Sequence, residues 1–284
     1  MKKIFTLFIF ILFVTNGAFT KESEKLKALI VTGQCSRAHN WKVSSQHLKN
    51  HLNKTKLFNI DFAISPPKGD NWSDKTLSNF TKYIHSGGGV VFVHTAFSAI
   101  NGSKEFDEIV GLRSFGFDSL GMHVYWENGK IIKDRLTFKA GIHHVRHDFM
   151  ITIRDFEHPI TKGLPVEWMH PSDDLYAQLR GSGKNIRILA TAYSDPQRGN
   201  MTTGKHEPLL FTVRYGKGRI LVCVLGHVGL KEWTSGFTED SMLCAGFITV
   251  FQRGAEWAAS SKVSQLIPDD FPTAKEISIR KIGD

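Results

Sequence analysis

The chain holds only three cysteines, Cys35, Cys223 and Cys244, in 284 residues. Their spacing matches no metal-binding or redox motif, which excludes zinc ribbons, thioredoxin-type exchange and a disulfide-framed miniprotein. No cysteine or serine stands where a nucleophile would be expected, so covalent catalysis has no evident carrier. The short-range metal motif His-Glu-x-x-His is missing too. Lysines and arginines are scattered among acids rather than massed in a stripe, which argues against a nucleic-acid partner. The apolar run over residues 4–14 is too short to span a bilayer comfortably, and no cysteine follows it to carry a lipid. No internal repeat or low-complexity linker divides the rest.

What is there begins with an address. Met1, Lys2 and Lys3 precede the apolar run, and small residues Gly17 and Ala18 lie before Thr20. This is the three-part layout of a secretory signal peptide over residues 1–20, so the expected location is a periplasm or the exterior. The formal charge of +9 includes Lys2 and Lys3, leaving +7 for the mature chain. In an oxidising compartment Cys35 could pair with Cys244, whereas Cys223 sits inside an apolar strand and reads as a small core residue. Residues 21–260 are enough for one α/β domain, and the polar residues 261–284 read as a tail over the surface.

Apolar periodicity predicts strands at residues 27–32 and 58–64, with a helix from about Trp41 to Leu52 between them. Ser73 caps a second helix that runs to about His85. Gly87, Gly88 and Gly89 then end that helix and start the run Val-Val-Phe-Val, with His94 at its carboxyl end. Residues 105–126 read as loops. Strands follow at 149–153, 186–192 and 209–214, and Tyr-Gly-Lys-Gly turns the last of these into a hairpin partner at 219–225. A closing helix spans 242–259. This order predicts a flavodoxin-like three-layer sandwich, a mostly parallel sheet with an antiparallel edge.

In such sheets ligands bind beyond the carboxyl ends of strands, which is where His94 falls. His227 repeats the pattern, an apolar strand followed by Gly226 and the histidine, and His39 lies in the first-strand loop. Two neutral imidazoles from neighbouring strands suit zinc or another divalent metal, with His39 or Asp174 as a third ligand. Asp173 and Asp174 form a carboxylate pair that suits acid or base work, or merely begins a helix. His143, His144, Arg146 and His147 are the densest polar cluster, fit either for an anionic or hydroxyl-rich ligand or for an exposed loop. His158, before Pro159, reads as a turn residue.

Five segments in order carry a resemblance: Gly-Gly-Gly-Val-Val-Phe-Val-His (87–94), His-Pro-Ile-Thr-Lys-Gly-Leu (158–164), Asp-Asp-Leu-Tyr (173–176), His-Glu-Pro-Leu-Leu (206–210), and Tyr-Gly-Lys-Gly-Arg-Ile with Leu-Gly-His (215–227). Together they resemble the ThuA-like family, named for trehalose utilisation. The resemblance implies a class I glutamine amidotransferase-like fold and a role in the catabolism of sugars, notably oxidised (keto) disaccharides. Where amidotransferases carry a cysteine this chain has His94 and Thr95, so glutaminase chemistry is not implied. The family pocket maps to His39, His94, Asp174 and His227 as catalytic residues, with Trp41, His147, Tyr176 and His206 binding substrate. His94 and His227 are the metal candidates, and no nucleotide cofactor is implied.

Two departures stand out. Asp174 replaces the family's glutamate, one C–C bond shorter. The family also has a further strand between the second strand and the helix before the glycines, whereas here Ser65 leads almost directly to Trp72. Either the sheet is one strand short or residues 65–73 substitute irregularly. The expected function is an exported carbohydrate-active enzyme that hydrolyses or eliminates a glycoside; the alternative is a carbohydrate-binding protein with a degenerate pocket. A small carbohydrate is the expected partner, with no nucleic acid, no stable membrane insertion of the mature chain, and self-association left open.

Overall fold

The computed structural model describes residues 24–33, 39–65, 72–114, 121–135, 142–143, 146–199, 202–229 and 238–281. Strand β1 (Leu26–Thr32) leads through the His39 loop to helix α1 (Trp41–Lys54), and β2 (Phe58–Ile64) follows. The Asn40 side chain accepts from the Val43 N–H and starts α1 as an N-cap. Ser73 caps α2 (Asp74–His85) in the same way through the Thr76 N–H. The glycine run then has two local causes. Gly87 takes a left-handed φ of 112° as the helix ends, with the Gly87 and Gly88 N–H groups closing on the carbonyls of Ile84 and Tyr83. At Gly89 a Cβ would lie 2.0 Å from the Ala258 carbonyl oxygen, so any larger residue would push the closing helix off β3 (Gly89–Val93).

A short helix α3 (Lys104–Val110) and strand β4 (Met122–Glu127) lie within the span read as loops. The Ser103 cap on the Phe106 N–H and the core side chains Phe106, Ile109 and Val110 explain the helix. The glycines of that span marked its ends rather than its whole. Strands β5 (Lys130–Asp134), β6 (Ile142–His143), β7 (His147–Ile153), β8 (Glu167–Asp173), β9 (Tyr176–Ala177), β10 (Arg180–Gly181), β11 (Ile186–Tyr193), β12 (His206–Val213) and β13 (Arg219–Cys223) precede a short α4 (Asp240–Leu243) and the long α5 (Ala245–Ser260).

The result is an α/β fold around a curled, mixed sheet, not the mostly parallel sheet expected. The path β3–β13–β12–β11–β7–β8 is antiparallel except for β3 with β13, and β4 joins β12 through the His206–Trp126 pair while holding β5 and β10. Short connections among the strands after β3 allow antiparallel pairing, whereas parallel neighbours need a crossover, and helices supply that mainly at the two ends of the chain.

β1 and β2 pair in parallel as a two-strand sheet of their own. Among the described residues no ladder joins β1 to β3, although both pack on α5. Leu29, at 61% exposure, and Val31, at 48%, remain open to solvent on β1. In the main sheet, by contrast, Leu209, Leu210, Phe211, Leu221 and Val222 are fully buried. The tail is partly structural: Phe271 packs on Trp168 with ring centroids 5.3 Å apart, and the Ala245 N–H donates to the Ser278 carbonyl. Cys223 and Cys244 are buried and free, and Cys35 lies outside the described residues.

Candidate functional site

Parallel pairing of β3 with β13 sets Val93 beside Cys223, so the two strands end together. His94 follows with φ of 51°, a left-handed conformation uncommon for a residue with a side chain, and starts a 3-10 turn over His94–Ser98. Its Nδ1–H donates to the Val224 carbonyl at 3.1 Å, which leaves the Nε2 lone pair facing the cleft. His227 follows Gly226 after β13. The His39 loop is tied to the same place by the Asn40 N–H, which donates to the Val228 carbonyl at 2.7 Å.

These placements bring three imidazoles into one cluster. His94 Nε2 lies 3.2 Å from His39 Nε2 and 3.2 Å from His227 Nδ1. The three side chains offer donor atoms all within 4.8 Å of one another. His227 Nδ1 is also 2.6 Å from Asp174 Oδ2, and the Arg146 Nε lies 4.0 Å from Asp174 Oδ1. Burial, and then the neighbouring His227, pull His94 down to about 4, so its ring is neutral at pH 7. A single lone pair on His94 Nε2 therefore faces two other ring nitrogens, more than one hydrogen bond can use.

A tetrahedral zinc with Zn–N bonds of about 2.0–2.1 Å separates its nitrogen ligands by roughly 3.3 Å. The 3.2 Å spacings match that edge, and neutral nitrogen donors with an adjacent carboxylate are a suitable donor set for zinc or a similar divalent ion. The geometry thus fits a metal held by His39, His94 and His227, with Asp174 beside it. Sequence reasoning left the third ligand open between His39 and Asp174; the structure draws both to the pair.

Beneath the cluster lies an arrangement that the sequence only half disclosed. Asp173 is fully buried, and its carboxylate accepts from the backbone N–H groups of Asp174 (2.7 Å), Gly226 (2.9 Å) and His227 (3.1 Å). It also accepts from His170 Nε2 at 3.0 Å and from the Ser241 hydroxyl. Burial opposes charge on His170, but hydrogen bonds to Asp173 and Cys244 outweigh it and raise the imidazole to about 9. Burial likewise opposes charge on Asp173, yet the paired His170 holds its carboxyl well below the usual carboxylate range. A buried ion pair thus fixes the backbone from which Asp174 and His227 project. Asp173 was visible as half of a carboxylate pair; His170, three residues earlier on the same β8, was not singled out because that strand was not foreseen, and Ser241 reaches Asp173 from α4.

The other expected site residues fall at different distances from this centre. Tyr176 is buried with its ring 5.6 Å from His94, and burial, then the nearby Asp174, push its phenol well above the usual tyrosine range. His147 is half-buried, stands opposite Asp173 in the β7–β8 register, and touches Phe149. Trp41 opens α1, two residues from His39, with Lys42 over its ring. His206 opens β12 at the end that runs beside the carboxyl end of β13 and packs on Tyr193, and its neighbour Glu207 accepts from the Gln178 N–H. His158 serves its turn, its Nδ1 accepting from the Ile160 N–H. His144 lies outside the described residues.

Comparison with known proteins gives a consistent picture. A family model described as ThuA, trehalose utilisation, matches residues 11–258. The chain is similar to a ThuA-like protein of Parabacteroides merdae of known structure, with 39% identity and a TM-score of 0.82 over 90% of this chain and 98% of that one. A ThuA-like protein of Bacteroides uniformis shares the fold at 16% identity, with a TM-score of 0.54 over 87% and 98% of the two chains. No curated protein sequence matches the chain.

Proposed function

Since the chain belongs to the ThuA, or trehalose-utilisation, family and so to carbohydrate metabolism, we propose that it is an exported enzyme that hydrolyses or eliminates a glycoside, an oxidised (keto) disaccharide being the favoured substrate. The observation that carries this reading is the convergence of His39, His94 and His227, with His94 Nε2 3.2 Å from a nitrogen of each of the other two rings and Asp174 against His227. The residues facing it also suit chemistry on a polar substrate.

His39, His94 and His227 would hold a divalent metal, which supplies polarisation of a carbonyl or of a water molecule. Asp174 is the group placed to move the proton. Its Oδ2 shares His227, while Arg146 stands 4.0 Å from Oδ1 and keeps a positive charge on that side. Tyr176 remains a neutral phenol over the operating range and walls the buried side of His94. Asp173 and His170 hold the backbone of Asp174 and His227 in place, so the proton carrier and the imidazole keep a fixed separation. Export rests on the layout of residues 1–20, and among the described residues no helix is long and apolar enough to cross a membrane.

Elemental analysis of the purified protein tests the reading. About one zinc, manganese or similar ion per chain is expected, lost in a His94→Ala, His227→Ala double variant. Keto-glycosides would then be turned over by the wild type alone. Metal-free protein after growth with added zinc and manganese would sink the metal-assisted mechanism. One observation favours the second reading, a carbohydrate-binding protein with a degenerate pocket: His39 comes from the two-strand sheet that stands apart from the main one. Sugar binding without metal or turnover would select it.

A further inference from the structure

Linked to the imidazole cluster through Arg146 is an open cleft of about 370 Å³ lined by Arg146, His147, Asp195, Gln197 and Arg198. Its size lies within the range of small-molecule sites, but among the described residues its lining is polar or charged throughout, which is unlike the apolar lining usual for such sites. One wall is the start of β7, where Arg146 and His147 stand across from Asp173 and Asp174. The other is the 3-10 turn Pro196–Arg198 that follows β11. Asp195 caps this turn, its Oδ1 accepting from the Gln197 N–H at 2.9 Å, and the Arg198 N–H closes on the Asp195 carbonyl. The acid in the lining is therefore oriented toward its own backbone, while Arg198 is exposed at the rim.

We propose that this cavity is a subsite for an anionic group on the sugar substrate, a carboxylate or a phosphate, bound between Arg146 and Arg198 with His147 beside them. The inference rests on reading the imidazole cluster as a sugar-processing site. Arg146 belongs to both places: it lines the cavity and stands beside Asp174. A sugar acid seated there has its anionic substituent at the arginines and its remaining ring hydroxyls directed toward Asp174 and the imidazoles. Planar guanidinium groups present paired N–H donors that match a carboxylate or a phosphate, which a neutral hydroxyl cannot use in the same way. Arg146 already stands beside Asp174, whereas Arg198 makes no ion pair among the described residues, so Arg198 is the group that selects for negative charge.

The test is calorimetric titration of the purified protein with glucuronic acid, glucose 6-phosphate and glucose, repeated with Arg198→Met. Arg198 is exposed and outside the core, so the variant keeps the fold. The expected result is binding of at least one anionic sugar roughly tenfold or more tighter than glucose, weakening as salt is raised, with that advantage lost in Arg198→Met and glucose binding unchanged. Preference for glucuronic acid or for glucose 6-phosphate identifies the anion as carboxylate or phosphate. Equal affinity for all three sugars, equal loss of all three in the variant, or no binding of either anionic sugar at millimolar concentration would overturn the proposal. Metal content measured on the same samples keeps the two ideas separable. Metal with turnover of neutral keto-glycosides but no anionic preference removes the subsite alone, whereas Arg198-dependent anion binding on metal-free protein removes the metal mechanism alone.

Discussion

The main sheet and the β1–β2 pair contribute to the same cluster under very different support. His94, His227 and Asp174 project from strand ends in or beside a sheet whose central side chains are fully buried, over a carboxylate that gathers three backbone N–H groups. His39 comes from a two-strand sheet joined to the rest by helix packing and by the bond from Asn40 to Val228. One side of the site is thus set by ladders and a buried ion pair; the other is set by a few contacts to a loop. Preorganisation should then be unequal, with His39 the adjustable member.

Breaking the rigid side should have the largest effect. Asp173→Asn leaves His170 buried without a charged partner and is expected to cost about 3–5 kcal/mol of stability, measured by chemical denaturation. A loss below about 1 kcal/mol would show that the backbone bonds, not the ion pair, hold the site. Next comes metal affinity, read by competition with a chelator: removing either ligand should weaken binding, and His94→Ala, on the rigid side, should cost more than His39→Ala. Equal losses would mean that the two sides are not mechanically distinct. Hydrogen exchange should sharpen the contrast without mutation, since amides of β1 and β2 should open at lower free energy than those of β12 and β13. The last contrast is in pH dependence. His170 is raised to about 9, so its contribution is full below the unfolded value near 6.5 and is lost as pH rises through about 9. His51, lowered by burial to about 4 and bonded to the Met242 carbonyl, gives the opposite sign: its contribution is full above about 6.5 and declines as pH falls toward 4. A thermal-denaturation profile across pH 4–10 should therefore be domed, and a flat alkaline limb would remove the charged His170.

Local chemistry made part of this molecule legible. Ser73 marked a helix start, and apolar runs ending in a histidine marked the strand ends that carry His94 and His227. The order of strands within the main sheet was not legible, because alternation and apolar runs tell strand from helix but say little about which neighbour each strand takes. β4 and β8 were missed for related reasons: glycines crowded one, and the other carries His170, Pro171 and Asp173 where apolar residues were expected. The site followed the same division. His94 and His227 were named from strand ends, His39 from the first-strand loop and Asp174 as one of a carboxylate pair, whereas the bond from His170 to Asp173 within β8 and the approach of Ser241 from α4 became visible only in the fold.

The apolar edge of β1 also bears on how the protein behaves in bulk. Leu29 and Val31 stand exposed on a strand whose ladder, among the described residues, runs only to β2. An apolar strand edge of this kind is a template for further strand pairing, and this edge has no proline and, within β1, only Lys27 as a guarding charge. The net positive charge, +7 without residues 1–20, then acts as the counterweight, keeping molecules apart at low salt. Solubility should accordingly depend on ionic strength, with concentrated, salt-screened solutions being where chains begin to stack through that edge.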